Sequence, residues 1–190
     1  MIVVLSEAGG EASLPPSCPG CSGRLRPWGY ARARQVRGRG GHRVMVRPRR
    51  ARCRGCRRTH VLLPAVAGVA RRADAVEVIG AALLAKVQGR GHRAIAADLA
   101  RPAATVRGWI RSATTHAERI RANALTVAWQ VDPMLDPPPP TGSALGDALA
   151  ALGTAVAAAI RRLGRLAAPW QLAATITGGL LGPTPRTRGS

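Results

Sequence analysis

The sequence predicts a mostly α-helical fold that begins with a small β region held together by a metal ion. The four cysteines form two C-x-x-C pairs, Cys18 with Cys21 and Cys53 with Cys56, and thirty-one residues separate the pairs. Downstream of the second pair, the apolar residues change from the period of two that is typical of strands to the period near 3.6 that is typical of helices. The expected order is therefore a metal-bound β region, a three-helix region and further C-terminal helices.

Each C-x-x-C turn brings two sulfurs close together, so two such turns can supply four thiolate ligands to one tetrahedral zinc ion. Gly20 and Gly55 occupy the third position of each turn, where a tight bend often requires a positive φ. Two disulfides, or four unrelated buried thiols, are alternative interpretations. Disulfides fit an oxidising compartment, but the N-terminus lacks a signal peptide, so we expect a cytoplasmic protein. Structural zinc is the expected cofactor, with the ligands Cys18, Cys21, Cys53 and Cys56.

Short β-prone runs lie around the cysteines and predict the strands of a zinc ribbon. Pro48 follows one of them and limits it to a sheet edge. His42 and His60 are interpreted as non-ligands, because four cysteines already complete a tetrahedral site. Leu25, Trp28 and Tyr30 are expected to act as apolar anchors among the arginines that follow Cys21. The predicted strands are residues 2–5, 43–47 and 59–63.

Helical periodicity begins near Asp74. Together, Asp74 and Glu77, which follows three residues later, resemble a capping box. Glycines at 89 and 91 should end the first helix. A second short helix is expected over 92–100, and Pro102 marks the start of a third, since proline is tolerated at the first helical position. The first helix should bury one apolar stripe, formed by Val76, Ile79, Leu83 and Val87.

The second and third helices resemble a helix-turn-helix of bacterial regulators and insertion-sequence transposases. Within residues 93–110 the core positions of that motif hold Ile95, Ala96, Leu99, Val106 and Trp109. Ala100 stands where glycine is common in the turn, and Arg101 stands where a small apolar residue is usual. An ordinary three-helix bundle would show the same apolar spacing. Together with the cysteine pairs, residues 18–112 resemble the N-terminal zinc-ribbon and helix-turn-helix part of bacterial insertion-sequence transposases and related uncharacterised actinobacterial-type proteins.

Charge favours a nucleic-acid partner. The formal net charge is +20, and residues 12–73 contain sixteen arginines and no acidic residue. Such one-sided charge is self-repelling unless a polyanion lies near, and nucleic-acid phosphate is the usual one, with an anionic membrane surface as the competing partner. The helix-turn-helix resemblance implies base contacts in the major groove of double-stranded DNA from Ala103, Ala104, Arg107 and Arg111. Phosphate contacts are expected from Arg49, Arg50, Arg52, Arg90, His92, Arg93 and Thr105.

Two seams with four-three apolar spacing follow, over residues 106–127 and 145–166, with a proline-rich linker between them. Each seam can pack within one chain or form a homodimer. A membrane helix over 144–160 is disfavoured, because this segment is short, alanine-rich and contains Asp147. The predicted organisation is a ribbon with its lead-in over 1–66, a helix-turn-helix domain with an extended third helix over 71–131, a linker over 132–142, C-terminal helices over 143–181 and a disordered tail over 182–190.

The expected function is therefore that of a zinc-stabilised, sequence-specific DNA-binding protein, located on the nucleoid, with no catalytic domain or small-molecule substrate of its own. A truncated transposase or recombinase component is one alternative, although its chemistry needs clustered carboxylates that hold two metal ions. A ribbon that docks on RNA or on RNA polymerase is another, since Trp28 and Tyr30 among arginines would suit base stacking. Two aromatic residues on a small sheet are nonetheless more often part of its core.

Overall fold

The computed structural model describes residues 2–4, 14–15, 17–64, 74–164, 168–178 and 180–181. These residues form six strands and six α-helices, so about half of the described chain is helical and a small β region precedes the helices, in the predicted order. The predicted tail over 182–190 lies outside the described residues. The strands are β1 (Ile2–Val4), β2 (Leu25–Tyr30), β3 (Arg34–Arg37), β4 (Arg43–Val46), β5 (Arg49–Cys53) and β6 (Thr59–Pro64). The helices are α1 (Val76–Val87), α2 (His92–Asp98), α3 (Ala103–Thr115), α4 (Ala117–Val131), α5 (Ala144–Leu163) and α6 (Pro169–Ile176).

Four strands form one sheet in the order β1-β6-β5-β2, which we call the ribbon sheet. β1 runs parallel to β6, and the other neighbours are antiparallel. Leu25 at the start of β2, alternate residues of β5 and Leu62 of β6 are buried on one face, where they form a small core with Cys18. The predicted strands correspond to β1, β4 and β6, whereas β2, β5 and β3 were not predicted. That buried core consists of Cys18, Leu25, Ala51, Cys53 and Leu62, with Leu14 packed against it.

Strands β3 and β4 form a separate hairpin that joins the helical core instead of the ribbon sheet. Val36 and Val46 on this hairpin are 2% and 4% exposed and belong to the same apolar cluster as the helices. The backbone N–H of Ala75 donates to the carbonyl of Arg37 at 2.8 Å and fixes the hairpin beside the start of α1. The segment between the two cysteine pairs therefore runs from the first pair to the helical core, which it contacts through the hairpin, and then back to the second pair.

The N-terminal end of α1 differs from the predicted capping box. Ala75 is the N-cap residue and makes no side-chain cap. Asp74 is instead buried between two arginines, so its carboxylate is engaged away from the helix terminus. Val76, Ile79 and Leu83 are buried as predicted, but Val87 is 39% exposed because it lies in the last turn, beyond the reach of the core.

The predicted extended third helix consists of two helices separated at His116. This residue has φ −104° and ψ 10°, and its N–H is shared between the carbonyls of Ser112 and Ala113. The apolar seam nevertheless continues across the break, since Ala113, Ala117 and Ile120 are all buried. The seam is therefore set by burial on one side of α3 and α4 and does not require a continuous helix.

Helices α4 and α5 pack along their lengths within the one chain, and both seams contribute to this contact. A homodimer through either seam stays a prediction that these contacts do not test. Ser143 caps α5, its Oγ accepting from the N–H of Gly146 at 3.1 Å. One helix of the described residues, over Ala144–Arg162, has the length and hydropathy of a membrane span, and 56% of that window is buried inside the fold.

Helix α6 packs against α1, with Trp170 close to Gly80. The indole of Trp170 lies over Gly80, where an added Cβ would come within 2.3 Å of the ring. Glycine inside a helix costs about 1 kcal/mol relative to alanine, so its presence in α1 is explained by the space that this ring occupies.

Candidate metal centre and nucleic-acid interface

The two cysteine turns meet, and their four sulfur atoms lie within 4.8 Å of one another. Cys18 Sγ is 3.7 Å from Cys56 Sγ, and Cys21 Sγ is 3.4 Å from Cys53 Sγ. A zinc–sulfur bond of about 2.3 Å in a tetrahedral site separates the sulfurs by roughly 3.8 Å. None of the four cysteines is in a disulfide. The cluster could therefore hold one metal ion, and its four thiolate donors suit zinc.

The two turns are built in the same way. In each, the N–H of the first cysteine donates to the carbonyl five residues later, from Cys18 to Gly23 at 2.8 Å and from Cys53 to Arg58 at 2.9 Å. The residue after each second cysteine is left-handed: Ser22 has φ 55° and Arg57 has φ 62°. The positive φ expected at the third position of each turn thus falls two residues later, where it turns the chain back along the sheet.

Glycines leave room for the sulfurs. A Cβ on Gly23 would lie 3.1 Å from the sulfur of Cys53 and 3.3 Å from that of Cys21, which is tighter than most real Cβ contacts. Gly55 faces the same two sulfurs at 3.7 and 3.5 Å. Gly23 was not singled out from the sequence, although its position two residues after Cys21 is a usable signal.

Hydrogen bonds to the sulfurs shift the pKa values of two cysteines in this cluster. A bond from the backbone N–H of Gly23 and then the neighbouring Cys53 thiol lower the pKa of Cys21 to about 6, which favours its thiolate form. The backbone N–H of Arg58 lowers the pKa of Cys56, but the Cys21 thiol, burial and the other two thiols outweigh it and raise that pKa to about 11. A negative charge on one sulfur therefore disfavours a second negative charge on its neighbour, and a bound cation would offset this repulsion.

His60 lies next to the cysteine cluster but is not one of its four sulfur ligands. Its Nε2 is 3.3 Å from Cys18 Sγ, and the residue is 9% exposed. Burial and nearby positive charge, including Arg58, lower the pKa of His60. A neutral ring can donate from Nε2 to the thiolate, which orients the ligand as groups around metal sites commonly do. The sequence placed His60 correctly at the start of a strand but gave no indication of this contact.

Helix α3 exposes three of the four residues that the sequence assigns to base contacts. Its buried side holds Val106, Trp109 and Ala113. On the other side, Ala104, Arg107 and Arg111 are exposed, whereas Ala103 is half-buried. The two arginines make no ion pair with any acidic side chain that the structure describes. Both guanidinium groups are therefore available to an external acceptor.

The residues near α2 that were predicted to contact phosphate differ in exposure and in charge. Arg93 is exposed, while His92 and Thr105 are half-buried. Arg90 forms an ion pair with Asp98, which raises the pKa of Arg90 and offsets its charge. Of this group, Arg93 has the most accessible charge.

The other predicted phosphate residues, Arg49, Arg50 and Arg52, lie together on β5 in the ribbon sheet, and all three are half-buried. Arg52 stacks over the ring of Trp28, with its guanidinium carbon 4.6 Å from the ring centre. Its Nε donates to the carbonyl of Arg57 at 3.2 Å. The structure thus places these arginines on a different element from Arg93 and the exposed side of α3.

One buried ionic group connects the hairpin to the turn between α2 and α3, and sequence reasoning missed it. Asp74 Oδ1 accepts from Arg101 Nε at 2.7 Å, and Oδ2 accepts from Arg37 Nη2 at 3.1 Å. Arg101 also donates to the carbonyls of Leu99, Ala100 and Gly38. Two signals pointed to it: Asp74 ends the acid-free stretch, and Arg101 replaces a usually small apolar residue.

Comparison with known proteins gives one family. Residues 18–109 match the model of a family described as a domain of unknown function (DUF6431). The matched range begins at the first cysteine of the metal cluster and ends at Trp109 in α3, so the similarity includes the metal cluster, the hairpin and the turn between α2 and α3. No curated protein and no solved structure matches the chain.

Proposed function

We propose that this chain is a zinc-stabilised, sequence-specific DNA-binding protein without a catalytic domain of its own, acting in the cytoplasm on the nucleoid. In this proposal Cys18, Cys21, Cys53 and Cys56 hold zinc, α3 lies in the major groove, and arginines of the ribbon sheet contact phosphate. The observation that carries it is the exposed side of α3, on which Arg107 and Arg111 have no acidic partner among the described residues.

The connection between α2 and α3 supports a helix-turn-helix over an ordinary bundle. Ala100, at the position where that motif commonly has glycine, has φ 50°. A left-handed conformation costs a residue with a Cβ about 1–2 kcal/mol, so the surrounding structure must favour this turn. The anchored guanidinium of Arg101 and its bonds to the Leu99 and Ala100 carbonyls account for that preference.

Zinc would have a structural role. Four thiolates fill a tetrahedral site and leave no position open for substrate or water. The metal would hold the two ends of the segment that carries the hairpin, and thereby the ribbon arginines. Purified protein should contain one zinc per chain, and chelation should unfold the ribbon sheet and weaken DNA binding. Metal-free protein with unchanged circular dichroism and unchanged DNA affinity would remove zinc from the proposal.

Sequence recognition is tested with Arg107→Ala, after the preferred site has been selected from a random duplex library. An arginine that donates two hydrogen bonds to guanine contributes about 1–3 kcal/mol of discrimination against other bases. The variant should therefore lose about 5- to 150-fold in preference for the selected site over a scrambled duplex. Arg119→Ala removes an equally exposed charge from α4 and should leave that ratio unchanged. Equal losses in both variants would eliminate α3 as the recognition helix.

A truncated transposase or recombinase component is the second candidate. Its chemistry needs carboxylates gathered around metal ions. Within the described ranges, the cysteine cluster is the one group of three or more His, Cys, Asp or Glu side chains that could share an ion. Asp74, the buried carboxylate, is already bound by two arginines. Strand cleavage of the selected duplex with Mg²⁺ or Mn²⁺ would favour this candidate over the non-catalytic one.

A further inference from the structure

The ribbon sheet presents two aromatic rings to solvent. Trp28 is 38% exposed and Tyr30 is 47% exposed, so neither ring belongs to the core formed around Leu25 and Leu62. Both lie on β2, the strand at one end of the sheet. Their exposure separates them from the usual role of aromatic residues in a small sheet and calls for another explanation.

Arginines are stacked on both rings. The guanidinium carbons of Arg26 and Arg52 lie 4.8 and 4.6 Å from the centre of Trp28, and that of Arg47 lies 5.0 Å from the centre of Tyr30. Arg26 and Arg52 are direct partners across β2 and β5. A ring engages the face of a guanidinium and leaves N–H groups at its edge available to an anion. Within the described part of the chain, no ion pair with a carboxylate holds these three arginines.

The backbone of β2 departs from a regular strand between the two rings. Its pairing with β5 shifts register between Pro27 and Tyr30, and Gly29 between the rings has φ 71°. Such a bulge changes the direction in which neighbouring side chains leave the strand. A Cβ on Gly29 would meet no atom within 4 Å, so the glycine is explained by its conformation and the surface beside it is open.

Exposed aromatic rings beside arginines match the chemistry of nucleotides that are not base-paired. Phosphate alone would need only the arginines, as in binding to a duplex. The rings add an interaction that duplex DNA cannot use well, because its bases are stacked on one another, whereas an unpaired base can stack on an aromatic side chain. Both features occur together on β2 and β5.

We propose that this surface, formed by Arg26, Trp28, Tyr30, Arg47 and Arg52, binds single-stranded DNA. Bases stack on the two rings while the arginines contact the adjoining phosphates. The inference rests on the proposed function in taking DNA as the partner; it shares Arg52 with the phosphate contacts of that function but does not use α3. It gives the protein a second DNA-binding surface with a different preference from the first.

The test measures binding of zinc-loaded, full-length protein to labelled oligo(dT) by fluorescence anisotropy over a salt series. Trp28→Leu should weaken binding about tenfold, in the range expected for one stacked base. It should leave the slope of log affinity against log salt unchanged, because no charge is removed. Trp28→Phe keeps a ring and should restore most of the affinity. Arg52→Gln should reduce the slope by about 0.7, the value for one phosphate contact to a single strand.

Trp129→Leu is the matched control. This tryptophan is 45% exposed on α4 and donates from Nε1 to the carbonyl of Leu135, away from the ribbon sheet. It should not alter affinity for oligo(dT). Zinc content and circular dichroism identify any variant that fails to fold. If Trp28→Leu does not fold, the salt slope of Arg52→Gln carries the test, and a slope equal to that of wild type overturns the inference.

Three results would overturn the inference: equal oligo(dT) affinity for Trp28→Leu and Trp129→Leu, tighter binding of duplex than of oligo(dT) at equal length with no loss in Trp28→Leu, or tighter binding of oligo(U) than of oligo(dT). Failure of the proposed function looks different, since Arg107→Ala would then leave duplex discrimination unchanged whatever happens with oligo(dT).

Discussion

Asp74→Asn removes one charge from the buried ionic group and keeps the shape of the side chain. The Asp74 side chain is 0% exposed and that of Arg101 is 9% exposed, whereas Arg37 remains 42% exposed. The variant therefore leaves the Arg101 guanidinium buried without a counter-charge, while Arg37 can still turn to water. Removing one partner of a buried pair costs about 3–5 kcal/mol. That is a large part of the 5–15 kcal/mol that stabilises a typical domain.

Urea unfolding of the zinc-loaded protein, followed by circular dichroism, measures this cost. We expect the midpoint to fall with little change in the dependence on urea, because the surface exposed on unfolding stays the same. Asp132→Asn is the control: Asp132 pairs with Arg161 at 3.7 Å, with both side chains largely exposed. Such a surface pair contributes at most about 1 kcal/mol.

A double variant separates the interaction energy of the Asp74–Arg101 pair from the cost of each substitution alone. Asp74→Asn combined with Arg101→Met removes both charges, so its cost should be smaller than the sum of the two single costs. If Asp74→Asn alone lies within about 1 kcal/mol of wild type, the buried pair does not hold the hairpin against the turn between α2 and α3, and this account of the group is wrong.

Four further substitutions test the packing, the turn between α2 and α3 and the cysteine cluster. Cys53→Ser should abolish one-to-one zinc binding and unfold the ribbon sheet, which zinc titration with circular dichroism would detect; retained zinc and fold would contradict the four-thiolate site. Gly80→Ala should destabilise the protein by about 1–3 kcal/mol, because the new methyl group meets Trp170. Gly153→Ala, in a helix with open space around it, should stabilise by up to about 1 kcal/mol, and a cost equal to that of Gly80→Ala would refute the packing argument. Ala100→Gly should raise stability by up to about 1 kcal/mol by relieving the left-handed conformation, and a clear loss in thermal unfolding would argue against strain at that turn.

Local chemistry made parts of this fold predictable. The spacing of the cysteines depends on short turns, and those turns bring the four sulfurs together as expected. The stripe formed by Val76, Ile79 and Leu83 has helical period and is buried in α1. Pro169 begins α6, as proline at a first helical position suggests. Each of these signals is contained within a few consecutive residues.

The missed features depend on contacts between distant residues. β5 has the sequence Arg-Arg-Ala-Arg-Cys, in which only Ala51 and Cys53 point to a buried face, so the alternation is too short to recognise among arginines. The role of Asp74 required knowing that Arg37 and Arg101 would meet it, from positions thirty-seven and twenty-seven residues away. Periodicity cannot supply such pairings, because they follow from how the hairpin docks on the helices.

The docked hairpin also links metal affinity to the helices by reciprocity. The four clustered cysteines bring Cys21 and Cys53 together, and the segment between them is anchored at Val36 and Val46 in the helical core. If docking of the hairpin favours metal binding by some factor, metal binding must favour docking by the same factor. A substitution in the helical core that loosens Val36 would therefore weaken zinc affinity without touching a ligand. If the cysteines hold zinc as proposed, its affinity would report on helices that supply none of the four sulfurs.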